Sequence, residues 1–484
     1  MSFESKKIIG SSLFWSHLGS GIKHLGLFIG MFLIGGVCTW GIIRSISYFS
    51  TTGLGTSLGL STSNKNNLGT GSYSSTASSS RIINTLIVGV GGKGHRGAYN
   101  TDTLIIASYN PRTKQVNLIS LPRDLYLSID KGYYGRINSI LDYYMTQKDH
   151  SLEQSLSILS QKVGNLIGQD IPYYAMIDFG GFEKLIDQLG GIQVEVPEEL
   201  YDTSFPIDDF NYGTLHIDAG KQLMNGNTAL NYARSRHSTS DFDRSRRQQI
   251  IIKSLMNKLF SFSSLTNIKS LYKTFGSMVI TNVTLGDITQ YARYIGRVNN
   301  INSVVFQSDC PENINQMKHG CILYSPPREQ FGGAAVLLPL GATSTSISNY
   351  KRLFSFVHRI IGYPFGDFQH ISLGVYNGID KNSISGSIAG FASKLGVELV
   401  RNGAYVEYIG NNPIKHEQTM IVFWSGGLAT KTKVAYTAFL EDILDSGPIR
   451  IIDSDEGLSF FSGGVDTGIN TTLLIGTERG RTMK

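Results

Sequence analysis

The sequence predicts an α/β protein built as two layered units, and three observations predict it. Short apolar runs rich in Ile, Leu and Val, bounded by Gly, Asn and Pro, stand at Ile82–Gly89, Thr103–Tyr109 and Gln115–Leu121, as in strands of a largely buried sheet. Helical periodicity follows at 151–167, at 181–189 and from Asp243 to about Phe262, so strands and helices interleave throughout 81–260. Beyond a boundary around 336–370, strands in ISLGVYNG, AYVEYIG and TMIVFWSG alternate with helical patterns around 383–401 and 430–445.

Taken in order, the elements have local causes. Asn110-Pro-Arg-Thr-Lys114 is a turn, so the second and third strands form a hairpin. Gly190-Gly191 ends the helix at 181–189 and IQVEV begins another strand. Residues 261–335 continue the mix, with a helix expected at 286–298 and a strand at Asn302–Gln307. Residues 336–369 read as a linker and 370–484 as a smaller C-terminal α/β domain.

The N-terminus predicts the compartment. Leu25 to Ile43 carries no charged side chain over nineteen residues, about the length that crosses a hydrocarbon core of roughly 30 Å. Lys6, Lys7 and Lys23 precede it, which points residues 1–24 to the cytoplasm and makes 25–46 a transmembrane signal-anchor helix. The run is too long for the core of a cleaved signal peptide, and no small-x-small cleavage site follows. Residues 47–80 are a Ser/Gly-rich linker unable to bury a core. The expectation is a single-pass cell membrane protein with its main domains extracytoplasmic.

A formal charge of +6 on 484 residues is too mild for a nucleic-acid footprint, so no nucleic-acid partner is expected. With the bulk of the chain outside, Cys310 and Cys321 can close a small disulfide loop or stand as unpaired thiols. Their spacing is no zinc pattern.

Four motifs carry candidate chemistry. Gly89-Val-Gly91-Gly92-Lys93-Gly94 matches G-x-G-x-x-G, but no helix starts at the glycines and Lys93 is followed by Gly, so neither a dinucleotide fold nor a P-loop is expected. Leu121-Pro122-Arg123-Asp124 ends an apolar strand, where Pro stops the ladder and projects Arg123 and Asp124 from the mouth of the sheet. Five arginines crowd Arg234 to Arg247. If NYARSR is extended, Arg234 and Arg236 share a face; the following helix puts Arg244 and Gln248 together, above Ile251, Ile252 and Leu255. Such a cluster suits multiply charged phosphate, because guanidinium binds bidentately and stays charged when desolvated. Arg246 and Arg247 are expected on the solvated face of the helix. Asp102, at the start of a strand, is a candidate ligand for a hard cation.

Together these residues resemble the LytR-CpsA-Psr family of cell-wall ligases. The likeness lies in NTLIVGVGG, TDTLIIASYNPRTKQVNLISLPRDLYL, GRINSI, IDFGGFEKLIDQLGGIQVEV, LHIDAGKQLMNGNTALNYARSR and DFDRSRRQQ, over about 81–335. More loosely, VYNG, GSIAGFASKLGVELVRNGAYVEYIG and TMIVFW look like the LytR C-terminal domain. The resemblance implies an α/β/α sandwich with a central mixed sheet and an apolar pocket for a polyprenyl tail. It implies transfer of a glycan polymer from a polyprenyl-pyrophosphate carrier to peptidoglycan, assisted by Mg2+. Carried over by motif, Arg123, Arg136, Arg234, Arg236, Arg244 and Gln248 would contact the pyrophosphate. Asp102 would bind the metal, and Asp102, Arg123 and Asp124 would form the catalytic group. Two departures bear on the metal: Gly91-Gly92 stands where the family often has an Asp, and Asn100 where an Arg is common. His95 is a poor Mg2+ ligand and no substitute. Two other functions suit the same residues, a polyprenyl-pyrophosphate hydrolase and a non-catalytic envelope-glycan binding or scaffold protein.

Overall fold

The computed structural model describes residues 82–478 apart from 96, 148–149, 208–210, 237–239, 262–275, 277, 285, 288–297, 314, 381–389, 425–427, 446–447 and 453–468. The expected tail, membrane helix and linker at 1–80 lie outside the described residues, as does most of the helix expected at 286–298. Among the described residues no helix is long and apolar enough to cross a membrane.

The chain enters as an antiparallel meander of β1 (Ile83–Val90), β2 (Thr101–Asn110) and β3 (Gln115–Ser120). A hairpin of β4 (Tyr126–Asp130) and β5 (Tyr133–Arg136) leads to α1 (Ile140–Thr146) and α2 (Leu152–Ile167). Helix α2 starts at a reciprocal capping box between Ser151 and Gln154 and stops at Gly168, which has a left-handed φ of 67°. β6 (Tyr173–Asp178) then runs parallel to β1, and the Asp178 side chain caps α3 (Phe179–Gln188) by accepting the Gly181 N–H at 2.7 Å. Next come β7 (Ile192–Val196), β8 (Leu200–Pro206), β9 (Tyr212–Ile217) and β10 (Gly220–Met224), paired β7 with β10 and β8 with β9. Helices α4 (Gly226–Arg234) and α5 (Asp241–Ser261) follow, and β11 (Val279–Thr281) and β12 (Asn300–Val305) complete a mixed six-stranded sheet of order β11-β6-β1-β2-β3-β12.

Period-two alternation gives this sheet two buried faces. Leu86, Val88, Ile106 and Ile119 face a core shared with Leu156, Leu159 and Val163 of α2. Ile83, Ile105, Val116 and Leu118 face the other way, with Ile252 of α5 packed against them. Each such side chain removed from water contributes about 1.5–3 kcal/mol.

Past β12 a small sheet forms from β13 (Gln307–Ser308), β14 (Cys321–Tyr324) and β15 (Leu338–Pro339). A disulfide joins Cys310 to Cys321, with Cα atoms 6.2 Å apart. The linker expected at 336–369 instead holds β15, α6 (Lys351–Gly362) and α7 (Phe365–Phe368). Leu353, Phe356, Val357 and Ile360 have helical spacing and sink into the same core as β1 and β2. Buried polar side chains of the first sheet meet the end of α6: Asn117 Nδ2 donates to the Ile360 carbonyl at 3.0 Å, Asn110 Nδ2 to Ile361 at 2.7 Å. Asn302 Nδ2 donates in turn to Asn117 Oδ1 at 2.8 Å. Asn117→Leu strands the buried Ile360 carbonyl and takes one of two acceptors from the Asn302 amide, so chemical denaturation is expected to show a loss of about 1–3 kcal/mol.

The C-terminal unit holds β16 (Ser372–Asn377), α8 (Phe391–Arg401), β17 (Tyr405–Asn411), β18 (Met420–Phe423), α9 (Thr430–Leu444), β19 (Arg450–Ile452) and β20 (Thr471–Ile475). Its sheet, ordered β17-β16-β20-β18-β19, has its own core around Leu373, Ile421, Phe439 and Leu473. Arg359 of α6 ties it to the rest through Asp442 at 3.1 Å and Asn402 at 2.7 Å.

Candidate functional site

A cavity of about 300 Å³ lies on the α5 side of the sheet. Alternation in β1 and β6 turns Ile87, Gly89, Ala175 and Ile177 toward it. Phe182 and Leu185 of α3 and Ile251, Ile252 and Leu255 of α5 complete an apolar wall. Gly89 is small for a reason, since a Cβ there would stand 2.8 Å from the Thr103 Cβ. The polar lining includes Asp102, Arg234, Arg236, Arg244 and Gln248.

Two of these arginines share the cavity without an extended NYARSR. Asn231 to Arg234 is the last turn of α4, since Ala229, Leu230 and Tyr232 bury the helix against its neighbours. The backbone leaves the helix at Ser235, whose hydroxyl donates to Asp202 at 2.6 Å, and Arg236 follows Arg234 into the same cavity. The Arg234 guanidinium lies 4.8 Å from the Phe179 ring and 5.6 Å from that of Phe205. Arg247, expected in solvent, is buried instead. It donates through Nε to the Tyr232 carbonyl at 3.1 Å and through Nη2 to the Ser235 carbonyl, so it secures the end of α4. Arg246 is half-exposed and pairs with Asp243 at 2.7 Å.

The start of α5 builds the charged centre. Ser240 and Asp243 cap each other, the Asp243 N–H meeting Ser240 Oγ at 3.2 Å and the Ser240 N–H meeting Asp243 Oδ2 at 3.1 Å. Asp241 in that first turn gathers three arginines: Arg123 Nε at 3.3 Å, Arg236 Nε at 3.4 Å and Arg244 Nη2 at 3.4 Å. Arg123 also reaches Asp102 at 3.2 Å and Asp124 at 3.6 Å, and Arg136 meets the far oxygen of Asp124 at 3.0 Å.

Arg123 and Arg244 experience this network differently. Burial opposes the charge on Arg123, but Asp241, Asp124 and Asp102 together hold its pKa above the ordinary value. Arg244 is only 5% exposed. Burial first, and then Arg123 and Arg236 against the pull of Asp241, bring it down to about 10. It is still a cation at neutral pH, and its buried Nε donates to no atom among the described residues. A largely desolvated guanidinium that lines a cavity suits an anion.

A second cavity of about 290 Å³ meets the first at Asp102, Arg244 and Gln248. Arg123, Asp124 and Asp241 line this second space, while Arg136 lines neither and touches the site through Asp124. Asp102, Arg234, Arg236, Arg244 and Gln248 thus share one cavity, with Arg123 and Asp124 across its wall.

Two carboxylates, Asp102 and Asp178, face the first cavity. Asp102 Oδ1 accepts from Arg123 Nη1 at 3.2 Å and Asp178 Oδ1 from the Gly181 N–H, and both are hard oxygen ligands of the type a divalent cation takes. Gly92 shows why its loop is bare: with φ at 85°, a Cβ there would lie 2.8 Å from the Asp178 Cβ. His95 packs its ring edge-on to Phe179 at 5.3 Å. Glu199, His216 and Asp218 converge as the one group of three ligating side chains among the described residues, and they line neither cavity.

Sequence reasoning passed over Asp241, the hub of the arginines. Its signal was its position three residues before Arg244, one helical turn away. Asp178 and the aromatic bed of Arg234 gave no local signal, since only the fold brings β6, β8 and α4 together.

The LytR_cpsA_psr family matches residues 52–333. The chain is 30% identical over 210 residues to the polyisoprenyl-teichoic acid–peptidoglycan teichoic acid transferase TagU of Bacillus licheniformis, covering 43% of this chain and 61% of that one. It is 29% identical over 198 residues to TagV of Bacillus subtilis, a transferase of the same description, covering 40% and 47%. It is 28% identical over 242 residues to an uncharacterized protein of Staphylococcus aureus, covering 49% and 55%. The chain therefore spans about half the length of these relatives. The solved structure of B. subtilis TagV aligns with a TM-score of 0.43 at 21% identity, over 59% of this chain and 98% of that one. With the family match extending over more than half of its residues, the chain belongs to the LytR-CpsA-Psr family.

Proposed function

We propose that the protein is an extracytoplasmic, membrane-anchored phosphotransferase that moves a glycan polymer from a polyprenyl-pyrophosphate carrier to peptidoglycan. The observation that carries this reading is Arg244, largely buried and charged, which lines both an apolar and a polar cavity where the two meet. The first cavity offers an apolar wall to the polyprenyl chain, and Arg234, Arg236, Arg244 and Gln248 offer donors to the pyrophosphate.

Mg2+ bound at Asp102, with Asp178 facing the same space, would neutralise phosphate charge. The chain's own residues do the positioning: the arginines hold the phosphates, and the apolar wall excludes water. A peptidoglycan hydroxyl oxygen bonds to the glycan-side phosphorus, the bridging P–O bond breaks, and polyprenyl phosphate leaves with the electron pair. The proton passes to a carboxylate of the second cavity, Asp124 or Asp102.

The purified full chain in detergent, given Mg2+, a polyprenyl-pyrophosphate glycan and peptidoglycan, is expected to join glycan phosphate to the wall polymer. Release of glycan phosphate to water alone would make it a hydrolase. Binding without turnover would make it a scaffold.

A further inference from the structure

The exposed apolar surface is concentrated in one place. Among the described residues the four most exposed large hydrophobic side chains are Tyr212 and Leu223 at 65%, Ile207 at 63% and Tyr201 at 56%. All four fall between the start of β8 and the end of β10, and three belong to the β8–β9 hairpin. Single exposed hydrophobics are ordinary, but several on one hairpin mark a contact surface.

Ile207 and Tyr212 stand at the turn end of that hairpin. Tyr212 pairs with Pro206, and the Ile207 N–H donates to the Asn211 carbonyl at 2.9 Å. A Cβ on Gly213 would stand 2.6 Å from Ile207 Cδ1, so the isoleucine lies across the glycine. Pro206 lines the apolar cavity, and Phe205 before it supplies one of the two rings against the Arg234 guanidinium. The hairpin is also fixed to the arginine segment. Asp202, fully buried on β8, accepts from the Ser235 hydroxyl at 2.6 Å and from the Arg236 N–H at 3.3 Å. Three successive residues thus hold an arginine, wall the cavity and expose an apolar side chain.

That order matches the parts of a prenyl pyrophosphate in a bilayer. Its charged group lies at headgroup level with the tail below, so arginines that load it from the membrane must come down to the interface. Tyrosine suits that level, with its ring among the upper acyl carbons and its hydroxyl in water. Asp208 and Asp209 follow Ile207 in the sequence, and their charge opposes an anionic leaflet and a deep insertion.

We propose that the end of the β8–β9 hairpin, through Ile207 and Tyr212, docks on the surface of a zwitterionic phospholipid bilayer and holds the arginine end of the cavity at headgroup level. The docking is a property of the surface alone; its purpose, loading a prenyl pyrophosphate, rests on the phosphotransferase reading above.

The test reconstitutes the full chain in phosphatidylcholine vesicles whose acyl chains are brominated near the headgroup. Trp15 and Trp40 are changed to Phe, and Tyr212→Trp is the reporter. With no prenyl lipid present, reporter emission is expected to fall by about half or more against unbrominated vesicles, after subtraction of the parent that keeps Tyr212. Tyr133→Trp, exposed on β5 and lining neither cavity, is expected to lose less than about a tenth. Ile207→Asp is expected to abolish the quenching and to slow uptake of polyprenyl pyrophosphate from vesicles by about tenfold, while affinity for the same lipid in detergent changes by less than about twofold. An unquenched Tyr212→Trp, equal quenching at both positions, or quenching that appears only when phosphatidylglycerol is added overturns the proposal. Quenching at Tyr212→Trp in a chain that binds no polyprenyl pyrophosphate sustains the docking surface while the donor reading fails.

Discussion

Arg244→Ala is expected to weaken polyprenyl-pyrophosphate binding by about 30- to 1,000-fold, the loss of about 2–4 kcal/mol that follows when one partner of a buried charged contact is removed. The side chain is almost fully buried, and its pKa is drawn down to about 10 by burial and by Arg123 and Arg236. An anion arriving in the cavity offsets the burial of the charge and the neighbouring cations at once. Arg246→Ala is the control from the same helix. That guanidinium is half-exposed and its pair with Asp243 lies near solvent, so binding is expected to change by less than about twofold. Fluorescence titration with a polyprenyl pyrophosphate checks both variants, and equal losses would remove Arg244 from the site.

Asp241→Asn is expected to lower stability while increasing the stabilisation that an anion gives. The Asp241 carboxylate touches Arg123, Arg236 and Arg244 within 3.4 Å. Replacing it with an amide leaves three guanidinium groups facing one another, a loss of about 1–3 kcal/mol for a partly exposed hub. Inorganic pyrophosphate then restores the missing negative charge. Thermal denaturation is expected to show a lower midpoint for the variant alone and a larger upward shift on adding pyrophosphate than in the wild type. A variant as stable as the wild type, or one that pyrophosphate fails to stabilise, would show that Asp241 does not balance the arginine cluster.

Much of this arrangement was legible in the residues. Alternating Ile, Leu and Val runs located β1, β2 and β3 to within about two residues, and the 3.6-residue period located α2, α3 and α5. Of the residues the motifs assign to pyrophosphate, Arg234, Arg236, Arg244 and Gln248 line one cavity, and Arg123 and Arg136 do not. The failures have physical reasons. An extended NYARSR would put Arg234 and Arg236 on one face, yet burial of Ala229, Leu230 and Tyr232 holds its first part in α4. Arg247 read as solvated because one helix cannot aim all its arginines inward, although its carbonyl partners lie at the end of α4. Residues 336–369 read as a linker because the partners of α6 lie far away in sequence, on β2 and β3. The separation of Arg123 and Asp124 from the apolar cavity had no local signal, because it arises from how β3 ends beside α5.

The measurement that tests the central claim most directly is a mass spectrum of the full chain purified from membranes in mild detergent, beside the Arg244→Ala variant. The expected result is a polyprenyl phosphate or pyrophosphate retained by the wild type and lost from the variant. No polyprenyl species on the wild type when a polyprenyl pyrophosphate is added with Mg2+, or equal retention by Arg244→Ala, would contradict it.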